Sequence, residues 1–278
     1  MSEGQPQRAM SSDMELALSR EASMAAMSLA VGLTHIRQYS SAETGFFYSG
    51  LFSIATGIER LIKLILIYGH WLSNDGAFLG NEQLRSCGHN ISELIDRAVE
   101  IERRHGVSFC AAVLETSPIS QTIVENLSDF AKKARYYNLD YLSGSQQSGL
   151  EPLQRWDREV CSEIISRHYK PRQDDVAAVK RMGEAMDAFG SIVWHTTERG
   201  ERIDTAADLL LQGKMAEVKQ RYSMYYLYVL VRELCALFAW LENKGSFYPP
   251  FLSEFFRIYT IPDKSAILRR KAWNPYAP

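Results

Sequence analysis

Residues 44–72 read TGFFYSGLFSIATGIERLIKLILIYGHWL. Phe47, Leu51, Ile54, Ile58, Leu61, Ile62, Ile65 and Leu66 recur at the three-and-four spacing of a helix that turns a wide apolar stripe to a core. No proline interrupts Gln7 through Ser117, and the run is too long for a strand. It predicts the longest, central helix of an all-α protein. Glu59, Arg60 and Lys63 interrupt the stripe, each costing about 2 to 3 kcal/mol at a bilayer centre, so a helix buried in protein is expected rather than a membrane span. The same reasoning covers 225–241, which holds Arg232 and Glu233 at its middle.

The rest of the chain divides around this helix. Met14–Gln38 has helical apolar spacing behind the capping candidates Ser11 and Ser12. Asn90, with Glu93 three residues on, predicts the start of an amphipathic helix over Ile91–His105. Further helices are expected at Ser120–Tyr141, Glu151–Tyr169, Val176–His195, Lys214–Leu241 and Phe251–Ile258, with an irregular tail from Ile261. Pro171–Asp175 is the best boundary, giving an arm and first helix (1–43), a bundle (44–170) and a helical extension with its tail (171–278). No β alternation of useful length and no internal repeat is found.

The chain has 278 residues, 46% apolar and 23% charged, which excludes disordered and fibrous classes. Its 31 Lys and Arg against 33 Asp and Glu leave a formal charge of −2, so no global field draws it to nucleic acid or an anionic membrane. Cys87, Cys110, Cys161 and Cys235 follow no metal or disulfide spacing. With acidic residues scattered ahead of the mildly apolar 22–33, the N-terminus does not read as a secretory signal, and a cytoplasmic protein without membrane contact is expected.

Three motifs carry possible chemistry. Glu59 and Lys63 share one face of the central helix. Gly88-His89-Asn90 is a turn feeding a helix, and Arg135-Tyr136-Tyr137-Asn138-Leu139-Asp140 is rich in groups that hydrogen-bond and stack. Buried charge needs a partner, so Glu59, Arg60 and Arg135 read as an inward polar cluster with Glu59 facing Arg135. The other reading is a pocket in which Lys63 and Arg135 hold an anion beside Tyr136 or Tyr137 and Asn138. His89 and Glu93 lack a third ligand, so a capping role is expected, with no metal and no cofactor. Arg167-His168 and Trp194-His195 are placed at helix ends, where a histidine cation meets the dipole.

In the order of these motifs the chain resembles the HEPN superfamily of small helical bundles. The resemblance spans residues 44–142: a long helix with charged residues in an apolar core, a Gly88-His89-Asn90-x-x-x-Leu94 helix start, and a helix ending at Arg135. It implies a nucleotide or RNA ligand or a protein partner, a homodimer, and a stress or defence setting. It also implies metal-independent RNA cleavage where an arginine is followed, after four to six residues, by a histidine. Here those positions hold Asp140, Tyr141 and Leu142. The reading is therefore a divergent, non-catalytic HEPN-like binding module. The alternatives are an endoribonuclease using Arg135 with Asp140 or His89, and a structural dimerisation protein.

Two C-terminal features complete the sequence reading. Tyr222, Tyr225, Tyr226, Tyr228, Phe238 and Trp240 surround one helix, which predicts cover from the first lobe or from a second copy. Lys264, Arg269, Arg270 and Lys271 with Trp273 form a basic cluster read as a solvated tail or dimer strap, with RNA contact as the alternative.

Overall fold

The apolar run forms α2, Thr44–Ser73, and pairs with α1, Ser12–Ile36, in a computed structural model that describes residues 12–74, 76–132, 136–145, 149–245 and 252–276. The two helices approach closely at glycines. A Cβ on Gly32 would lie 2.5 Å from the Ile54 side chain, and one on Gly57 would lie 2.7 Å from that of Leu29. Only the missing side chain lets Leu29 and Ile54 settle against the opposing backbone, and both are fully buried.

Behind this pair the chain builds α3 (Asn81–Ser86), α4 (Ile91–His105), α5 (Cys110–Thr116) and α6 (Pro118–Lys132). The predicted span of α4 is the observed one, and Gly106 ends it with φ of 67°. Asn90 stands at the N-cap but does not cap with its side chain; its amide donates to the Glu93 carboxylate instead. The start of α4 is held from α6, because the Ser92 amide donates to Ser128 Oγ at 2.8 Å. Buried Glu102 of α4 accepts from the Cys110 and Ala111 amides at 2.7 and 3.0 Å, which nucleates α5 in a stretch where no helix was predicted.

The helix expected over 120–141 appears as α6 and a separate α7, Tyr137–Leu142. The single helix expected over 151–169 comprises α8 (Pro152–Trp156), a π-helical turn (Asp157–Cys161) and α9 (Ser162–His168). Glu151 caps α8 by accepting from the Leu153 and Gln154 amides.

The helix predicted to reach His195 stops earlier, as α10, Gln173–Ala188, because Gly190 turns the chain at φ of 82°. Two-residue strands β1 (His195–Thr196) and β2 (Arg202–Ile203) then pair antiparallel, a small departure from the all-α expectation. Trp194 and His195 therefore lie outside any helix, and the predicted dipole contact does not exist.

The longest described helix is α11, Ala206–Gly245, with 40 residues against 30 for α2. Gly213 falls inside it with nothing near its absent Cβ, so it costs only its propensity, about 1 kcal/mol. Among the described residues α11 alone is long and apolar enough to cross a membrane, and 56% of its most apolar stretch is buried within the protein. Of its aromatic residues Tyr228 and Phe238 are fully buried, and Tyr68 of α2 meets Phe238 with ring centroids 5.1 Å apart, while Tyr222, Tyr225, Tyr226 and Trp240 are half-buried against the same core. One core thus runs across the 171–175 boundary.

A 3₁₀ helix (Leu252–Tyr259) and α12 (Lys264–Arg269) close the fold. Buried Glu242 accepts from the Leu252 and Ser253 amides, repeating the device seen at Glu102. The tail predicted to be irregular thus holds α12, capped by Asp263. Trp273 is buried against Tyr228 at 4.8 Å between ring centroids, and its amide donates to Thr34 of α1. The segment is an internal strap, with Arg270 stacked over Trp273 rather than held out to solvent.

Candidate functional site

The polar residues of α2 meet the turn before α4. Lys63 Nζ donates to Glu59 Oε1 at 2.7 Å, and His89 Nδ1 donates to the same oxygen at 2.8 Å. The Lys63 contact follows from four-residue helical spacing. The His89 contact needs the turn at Gly88, whose φ of 65° is open to glycine at little cost. The Glu59 side chain is 22% exposed and that of His89 76%, so a largely buried carboxylate anchors an imidazole standing at the surface. Its Nδ1 is committed to Glu59, which leaves Nε2 as the ring atom open to a ligand.

Two adjoining clefts flank this pair and share Thr56, Glu59 and His89. One, of about 550 Å³, runs beside Glu21, Arg60, Lys63 and Arg85. The other, of about 450 Å³, is bounded by Phe52, Phe130 and Lys132. Arg60 pairs with Glu21, not with the central cluster that the sequence implied. The two clefts together present Arg60, Lys63, Arg85 and Lys132 against Glu21 and Glu59, a local positive excess in a chain of net charge −2.

Arg135 lies outside the described residues, and so does the expected Glu59–Arg135 pair. Tyr136, Asn138 and Asp140 are exposed at or just before α7 and line neither cleft; Tyr141 and Leu142 also face solvent. The sequence-predicted residues that the structure brings together are therefore Glu59, Lys63 and His89. Among the described residues no group of three or more His, Cys, Asp or Glu is placed to hold a metal ion.

A second polar cluster was not anticipated. The π-helical turn directs Asp157 inward, where Oδ1 lies 2.6 Å from Lys219 Nζ and Oδ2 accepts from Arg199 Nε at 2.7 Å. Lys219 also pairs with Glu198 at 3.1 Å. Asp157, Glu198 and Lys219 are all buried, beside a cavity of about 180 Å³. Burial by itself pulls the Lys219 ammonium down, but the Glu198 and Asp157 carboxylates outweigh it and the net direction is upward. Burial, with Asp157 nearby, pushes the Cys161 thiol up to about 12, which keeps it a neutral, inert neighbour. The four charges balance one another, so the cluster is a lock joining the β-ladder to α11. Its members are scattered from 157 to 219, and each alone reads as an ordinary surface charge.

His168 stacks flat on Tyr222 with centroids 3.6 Å apart, and burial, then Lys264, Arg167 and Lys170, lower its pKa. That environment disfavours the cation which the sequence placed at this helix end. Compared with family models, with curated proteins and with solved structures, the chain matches none.

Proposed function

We propose that this chain is a divergent HEPN-like module that binds, without cleaving, the phosphate-bearing backbone of RNA or a nucleotide in the paired clefts around His89. The observation that carries the reading is the charge there: four cations against two carboxylates in an otherwise slightly acidic chain. The Arg85 fork suits phosphate oxygens, and Lys132 supplies a point charge across the His89 node. Phe52, half exposed at the rim of the second cleft, offers a face on which a base can stack.

One observation favours a second reading, RNA cleavage. A carboxylate that holds one imidazole nitrogen and leaves the other open is the arrangement used to orient a histidine for proton transfer, and Glu59 holds His89 in that way. Lys63 beside them would stabilise developing phosphate charge.

Titrating the purified chain into labelled single-stranded RNA and into a labelled nucleotide, at low and raised salt, separates the readings. Binding is expected to weaken with salt, and Arg85→Ala or Lys132→Ala should each lower the slope of log affinity against log salt by about one. RNA incubated with the chain in chelator should stay intact. Cleavage lost in His89→Ala would replace the binding module with the ribonuclease, and absence of binding to either probe would overturn both.

A further inference from the structure

α10 is covered on one side only. Val176, Val179, Gly183 and Asp187 face α11, and the contact is close: a Cβ on Gly183 would fall 2.2 Å from the Ala207 Cα. On the opposite side Ala178, Met182, Ala185 and Phe189 follow one another at intervals of four, three and four residues, and all are exposed. That spacing is the seam of a two-helix coiled coil. Met182 is 53% exposed and Phe189 93%, and Trp194, just beyond, is 85% exposed.

We propose that the outer face of α10 is the docking surface for a second copy of this chain, paired antiparallel across a two-fold axis. The stripe is complementary to itself. Read in one direction it runs small, large, small, large, and in the other large, small, large, small. In the antiparallel register that sets Met182 against Ala185 of the second copy, Phe189 falls against Ala178, so every large side chain meets a small one. The same register brings the long Arg181 side chain alongside Glu184 of the second copy, closing one flank with opposite charges. An isologous contact requires this kind of self-complementarity, and an unrelated partner does not.

The area also fits. An aromatic side chain buries of the order of 150–250 Å², so Phe189 and Trp194 with Met182, Met186 and Ile192 offer several hundred Å² on each copy. That is a substantial part of the ~800 Å² per partner of a stable interface. This surface is distinct from α11, whose aromatic residues are buried or half-buried against the core.

Light scattering on the full chain at micromolar concentration should give the mass of a dimer. Met182→Glu should raise the dimer Kd about thirty-fold or more, as loss of a central anchor does, with helicity by circular dichroism unchanged. A register test stands beside it. Mixing a Met182→Cys chain with an Ala185→Cys chain under mild oxidation should give cross-linked heterodimers in higher yield than mixing Met182→Cys with Ala178→Cys. The four native cysteines are buried and leave the background low. A monomeric parent would overturn the proposal and leave the stripe to another protein. A dimer indifferent to Met182→Glu, or equal yields from the two mixtures, would also overturn it.

Discussion

Lys219 shows at the scale of one residue how this fold handles buried charge. Its ammonium lies between Asp157 and Glu198, both buried, and removing it would leave two carboxylates with Arg199 on one of them. Breaking a buried ion pair from one side costs about 3 to 5 kcal/mol, because the remaining charge has lost its partner. Lys219→Met is therefore expected to lower the unfolding free energy by that amount in urea titrations. A change within about 0.5 kcal/mol, the usual range for a surface substitution, would show that the cluster does not hold the structure. Glu102 and Glu242 illustrate the other solution: each is fully buried and satisfied by two backbone amides at the start of the next helix, so no cation is needed.

At the scale of elements, the α1–α2 pair carries the core and its geometry depends on glycine. At Gly57 an added methyl would sit 2.7 Å from the Leu29 side chain and 2.9 Å from the Leu29 backbone nitrogen. The side chain can rotate only within a packed core, and the backbone cannot yield without separating the helices. Gly57→Ala should therefore destabilise by about 1 to 3 kcal/mol, as overpacking does, even though alanine is the better helix former. Chemical denaturation decides the sign: a stabilised variant would mean that the helices separate easily and that propensity prevails. Because Glu59 and Lys63 lie within two turns of this contact, affinity at the clefts should fall together with stability.

For the whole molecule the C-terminal strap decides closure. Tyr259 donates its hydroxyl to the Ala26 carbonyl at 2.6 Å, and Trp273 packs over Tyr228 and Tyr259. The strap thus joins the first helix to the longest one, from the far end of the chain. Trp273→Ala is expected to cost about 3 to 5 kcal/mol, the usual penalty for emptying a large aromatic site, and thermal unfolding should shift as a single transition. Separation into two transitions would show that the lobes before and after residue 171 fold independently.

The helices that could be read in advance are those whose burial follows from local spacing. The stripe at 44–72 and the amphipathic pattern at 91–105 each place apolar residues on one side, whatever lies opposite, so periodicity alone located α2 and α4. The Glu59–Lys63 contact was legible for the same reason, being one turn of helix. His89 was visible as a turn residue, but its bond to Glu59 spans 30 positions and depends on how α4 docks on α2. The helix expected over Lys214–Leu241 extends in the structure from Ala206 to Gly245, and Gly213 lies inside it with nothing near its absent Cβ, which no local pattern reveals. The Asp157–Glu198–Lys219 lock, the amide caps at Glu102 and Glu242, and the burial of Trp273 were all hidden, since each joins residues whose separation in sequence carries no periodic signal. Sequence by itself determined the all-α class and the inward faces of the main helices, because both arise from hydrogen bonds and spacing within one segment. Only the tertiary structure decided which charges are buried, which turn meets which helix, and which face of α10 is left bare, because those depend on distances between segments that no single segment encodes.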